Sequence, residues 1–177
     1  AEITTVSTTL QRDWRRRGIL PERATEGWSR FELRDVIEIY VLKFFADAGF
    51  SVKDVRQFTS MAVLPVLKLI GEYPGAIEFD GVEVSEEEKN FLASRIVVGA
   101  SGRYLAIAHA PETVHLIGRI RRFSEFRDIE TWLAECDADG FTCLDFNRIS
   151  HRIVKRASLP LIRIEIEEGD DGAEKSE

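Results

Sequence analysis

The residues of this chain best suited to chemistry are four arginines, Arg12, Arg15, Arg16 and Arg17, set around the single carboxylate of Asp13 in one short run. A guanidinium is permanently charged and presents a planar fork of donors that matches phosphate oxygens. In a chain of formal net charge −7, such a cluster is the local positive excess that a phosphate backbone attracts. The ordinary reading of a basic run is a solvated face. A second basic set, Arg148, Arg152, Lys155 and Arg156, shares one helical face and is read that way. Its other readings are a second DNA segment, an acidic partner, or the chain's own acidic tail.

His109 and His115 flank the stretch Ala110–Val114 and could face each other across a hairpin. With Cys136, Cys143 or His151 they could hold a transition metal. No pair of these residues has a recognised metal-site spacing. The expectation is therefore ordinary strand histidines and a core Cys136, with no metal and no cofactor. Two cysteines cannot build a disulfide framework, which implies a reducing compartment. A Gly-rich phosphate loop, a nucleophile elbow and a metalloprotease helix are all absent from the sequence, so an enzyme is not expected.

The elements that must position the arginines follow from local pattern. Thr8 to Gln11 fits the Ser/Thr-x-x-Glu/Gln capping box, so a short basic helix is predicted to open at Ser7 or Thr8. Gly18-Ile19-Leu20-Pro21 closes it, and a polar loop leads to Gly27-Trp28-Ser29-Arg30-Phe31. From Glu32 to Ala48 apolar residues recur at helical spacing, with Gly49 as the stop. Ser51 to Asp54 is a second capping box, opening a helix that turns Val52, Val55 and Phe58 inward. Pro65 suits a first helical turn, and Pro74-Gly75 ends that segment.

Beyond it, Ile77–Val84 alternates around Asp80-Gly81, a hairpin signal, and a helix is predicted from Ser85 to about Val98. The remainder reads as strands 103–109 and 113–119, helix 125–136, strand 141–146, helix 147–157 and strand 160–166. Strands separated by single helices suggest a small mixed sheet with helices packed on it.

With 177 residues, 44% of them apolar, the chain can bury one large core or two small ones. It has no apolar run near the roughly 18 residues of a membrane span. Its first residues show no signal-peptide pattern, so a cytoplasmic protein without a membrane partner is expected. Residues 165–177 hold seven carboxylates against Lys175, which places nearly all of the net −7 in a solvated tail. The basic helix is thereby left able to meet a polyanion.

Val6-Ser7, Trp14, Arg17-Gly18-Ile19-Leu20-Pro21, Gly27-Trp28 with Phe31, Asp35-Val36 and Ala48-Gly49-Phe50-Ser51 together resemble the MerR family of winged helix-turn-helix regulators. The resemblance covers roughly residues 1–58, about a third of the chain. It implies a recognition helix in the major groove, Trp14 as its anchor on the domain core, a wing on the adjacent backbone, and a dimer on a two-fold related site of double-stranded DNA. Family members untwist an overlong promoter spacer to realign the polymerase elements and some sense metals, so RNA polymerase or a small-molecule effector is a further expected partner. Ala1–Thr5 would be the end of a first helix whose earlier residues precede Ala1. This chain carries Gln11 where the family has leucine, Asp13 where it has an aromatic residue, and Ser29 at the wing arginine. Pro65 interrupts the region of the family's long pairing helix, so the usual dimerisation device is missing or replaced.

The resulting expectation is an α+β protein. A winged helix-turn-helix domain with an extension helix occupies 1–74, a connecting hairpin and helix 75–102, a small α/β effector or oligomerisation domain with a mixed sheet 103–166, and an acidic tail 167–177. The residues expected at DNA are Ser7, Thr8, Thr9, Gln11, Arg12, Arg15, Arg16, Arg23, Trp28 and Arg30. Two other readings are an excisionase-like architectural DNA binder and a regulator acting through protein contacts; Gln11 and Asp13 favour the latter.

Overall fold

The computed structural model describes residues 6–20, 32–80, 102–109 and 119–165, with Ser85 and Glu87 besides. Helix α1 (Thr8–Arg16) opens at Ser7, whose Oγ accepts the Leu10 N–H at 3.2 Å. The predicted Thr8–Gln11 box is not the cap, because the Gln11 side chain turns inward and donates to the Val6 carbonyl at 3.0 Å. At the other end Gly18, at φ 66°, lets its own N–H reach the Arg15 carbonyl and the Ile19 N–H reach that of Trp14, both at 2.8 Å. This Schellman closure needs a left-handed residue, which glycine supplies without a Cβ clash.

Helix α2 (Leu33–Asp47) has Asp35 in its first turn, where the carboxylate accepts the Glu32 N–H at 3.2 Å and meets the positive end of the helix. It ends as predicted at Gly49, φ 91°, in a second Schellman closure whose Phe50 ring packs edge-on against Phe45. Helix α3 (Val52–Arg56) follows. Ser51 caps it through the backbone carbonyl only, so the side-chain half of the expected capping box is not made. A 3-10 turn (Thr59–Ala62) leads into α4 (Val63–Gly71), with Pro65 in the first turn, where no N–H is required.

Seven further elements complete the described fold: β1 (Ile77–Asp80), β2 (Tyr104–His109), β3 (Ile120–Phe123), α5 (Arg127–Glu135), β4 (Gly140–Asp145), α6 (Phe146–Arg156) and β5 (Ile162–Glu165). Asp145 ends β4 and caps α6, its Oδ1 accepting the Asn147 N–H at 2.9 Å.

The expected mixed sheet is instead two sheets among the described residues. β1 and β5 pair in parallel, Ile77 against Ile162, and β3-β2-β4 is antiparallel throughout. Both β3 and β4 run against β2, so the β3-α5-β4 connection steps over one strand, a split βαβ arrangement. Ile77–Asp80 thus forms a strand whose partner lies at the far end of the chain; residues 81–84 of the predicted hairpin are outside the described residues. So are nearly all of the strand expected at 113–119 and of the helix expected from Ser85 to Val98. β3 itself was not foreseen. Its Ile-Arg-Arg-Phe sequence hides an edge strand in which Ile120 and Phe123 are buried while Arg122 extends to the Met61 carbonyl at 3.3 Å.

The central strand β2 is buried on both faces. Leu105 and Ile107 join the main core with Val36, Ile37, Val41 and Phe45 of α2, Val66 and Ile70 of α4, and Ile149 and Ile153 of α6. Ala106 and Ala108 meet Ile129 and Trp132 of α5 on the other side. The main core runs across the stretch between Pro74 and Gly102 where a domain boundary is expected, since α2 and α4 bury their apolar faces against β2, β4 and α6. Burial of a single large aliphatic side chain is worth about 1.5–3 kcal/mol, so this shared layer is a main source of stability. No helix among the described residues is long and apolar enough to cross a membrane.

Candidate nucleic-acid interface

Helix α1 is held by one face and presents the other. Trp14, 1% exposed, packs with Val6, Ile19 and Leu20 against Ile39 and Leu42 of α2 in a small separate core. Because Ile39 and Leu42 lie on the side of α2 away from the main core, α2 is apolar nearly all round, as a helix buried on both sides must be. Arg56 of α3 adds a second tie by donating to the Gly18 carbonyl at the end of α1. Sequence reasoning missed that tie; its only signal was a basic residue at the end of a short helix.

On the outward face, Thr8, Arg12 and Arg16 follow one another at a spacing of four, with Thr9 and Asp13 alongside. Ser7, Thr8, Thr9 and Arg12 are exposed, the Arg16 side chain is 81% exposed, and Arg15 is half-buried. Arg12 makes no ion pair among the described residues. Asp13 does not stand alone against phosphate: it bonds Arg16 at 2.6 Å and Arg17 at 3.5 Å. The Arg16 guanidinium, bonded to the Asp13 carboxylate, holds that carboxyl below its usual range, and Arg17 adds to the effect.

The structure brings together Ser7, Thr8, Thr9, Arg12 and Arg16 and withdraws one expected contact. Gln11 is 6% exposed and spends its amide on the Val6 carbonyl. It stands where a leucine was expected and fills that inward role, with its polar end satisfied by backbone. Arg23, Trp28 and Arg30, the expected wing residues, lie outside the described residues.

Among the described residues the metal reading gathers no ligand set. His109 meets Thr142 Oγ1 at 2.8 Å and lies 5.7 Å from the Phe50 ring, while His151 sits 6.3 Å from Tyr73. Cys136 and Cys143 are half-buried around the α5 core, and His115 is outside the described residues. Among the described residues no group of three His, Cys, Asp or Glu side chains could hold a metal ion. Comparison of the chain with protein-family models and with curated proteins finds no match in either.

Proposed function

We propose that the protein is a DNA-binding transcriptional regulator of the MerR-like winged helix-turn-helix type. In this reading α1 enters the major groove, the wing between α1 and α2 rests on the adjacent backbone, and two copies bind a two-fold related site. The observation that supports it is the division of α1 into a locked face, carrying Trp14 and Gln11, and an outward face carrying Thr9, Arg12 and Arg16. A recognition helix requires that combination, because contacts with phosphates and base edges are lost if the helix is free to roll.

The test is duplex binding across a salt series for wild type and for Arg12→Ala combined with Arg16→Ala. Each phosphate contact contributes about 0.9 to the slope of log affinity against log salt, so the double variant is expected to bind more weakly and to lose up to about 2 units of slope. A wild-type protein with no salt-sensitive binding would overturn the reading. One observation favours regulation through protein contacts instead: Asp13 occupies Arg16 and Arg17, which lowers the positive potential of the face.

A further inference from the structure

A cleft of about 400 Å³ opens between α2, the β2-β4 sheet and α6, away from α1. Tyr40 and Phe44, one turn apart on α2, line it together with Arg148 and Arg152, one turn apart on α6. Tyr104 and the half-exposed Phe126 frame the mouth with their rings edge to face at 5.7 Å.

Among the described residues the charges in the cleft do not cancel. Its carboxylate, Asp145, is already taken by Arg103, at 3.1 and 3.4 Å, and by the Asn147 N–H. Arg152 reaches the Tyr40 hydroxyl at 3.4 Å, and Arg148 makes no ion pair among the described residues. Two guanidinium groups thus line the cleft with four aromatic rings, with no carboxylate paired to them among the described residues. Cys143 lines the floor, but burial, with Asp145 nearby, pushes its thiol up to about 11. It is a neutral part of the wall rather than a nucleophile.

We propose that this cleft binds a small planar organic anion, a one- or two-ring aromatic bearing a carboxylate or a phosphate, with the anionic group on Arg148 and Arg152 and the ring among Tyr40, Phe44, Tyr104 and Phe126. Paired guanidinium groups suit a two-oxygen anion, and aromatic edges and faces suit a flat apolar body. The volume lies near the lower end of the roughly 300–1,000 Å³ range of small-molecule sites, which limits the ligand to that size.

The test is calorimetric titration of the full chain with salicylate, indole-3-acetate and adenosine monophosphate, using salicyl alcohol as the uncharged control. At least one anionic probe is expected to saturate below about 1 mM, and salicyl alcohol to bind at least 10-fold more weakly than salicylate. The preferred probe identifies the anion as carboxylate or phosphate. Arg148→Gln with Arg152→Gln is expected to weaken the preferred probe by 10-fold or more. Arg148→Gln alone, which removes an exposed side chain and leaves the Tyr40 contact in place, is expected to weaken it several-fold with an unchanged melting temperature. Saturation by none of the probes, or equal binding to the double variant, would overturn the proposal. The titration involves no DNA, so its outcome is independent of the function proposed for α1.

Discussion

Asp13 is the residue on which the charge of α1 turns. Its carboxylate is shared between Arg16 and Arg17, so three of the residues in the basic run partly neutralise one another while Arg12 stays outside the group. If the outward face grips a duplex, Asp13→Asn is expected to tighten binding at low salt several-fold and to steepen the salt slope by up to about 0.9. Unchanged binding would mean that phosphate never approaches this side of the helix. The exposed arginines were legible in the sequence because charge on a short helix has few places to go. The fate of Gln11 was not: its polarity suggested an outward residue, and only the geometry of the Val6 carbonyl makes an inward amide favourable.

At the scale of the element, α1 is fixed by Trp14 beneath it and by Gly18 at its end. A Cβ at Gly18 would meet nothing within 4 Å, so Gly18→Ala carries only the backbone cost of φ 66°, about 1–2 kcal/mol. Trp14→Ala is expected to cost about 3–5 kcal/mol, in both cases measured by urea unfolding. A Gly18→Ala variant as stable as wild type would show that the left-handed closure is not what ends the helix. Helices α1, α2 and α4 were foreseen because glycine stops, capping residues and the 3.6-residue period are local signals. The partners of the strands were not foreseen. β1 pairs with a strand more than eighty residues away, and β3 buries Ile120 and Phe123 on opposite faces with two arginines between them, which leaves no two-residue alternation to read.

At the scale of the whole molecule, α2 joins the parts. One of its faces meets Trp14; the other contributes to the main core and, through Tyr40 and Phe44, to the wall of the cleft. Because Leu105, Ile107, Leu144 and Ile153 complete the core that α2 and α4 begin, residues 1–74 alone are expected to lack a cooperative unfolding transition. The full chain is expected to unfold in one step, with far-UV circular dichroism and tryptophan emission giving the same midpoint. Two separated transitions would contradict a shared core. The proline-glycine break at Pro74-Gly75, where the expected boundary region opens, is a turn between α4 and β1. Composition shifts report where a chain bends, not which apolar faces later meet.

The central claim is that the Arg12–Arg16 face of α1 is where a duplex sits. Arginine modification by phenylglyoxal, read by mass spectrometry with and without excess duplex at low salt, tests it directly. The expected result is protection of Arg12 and Arg16 by DNA while Arg127 on α5 reacts at the same rate in both samples. Equal modification of Arg12 and Arg16 with and without a bound duplex would contradict the claim.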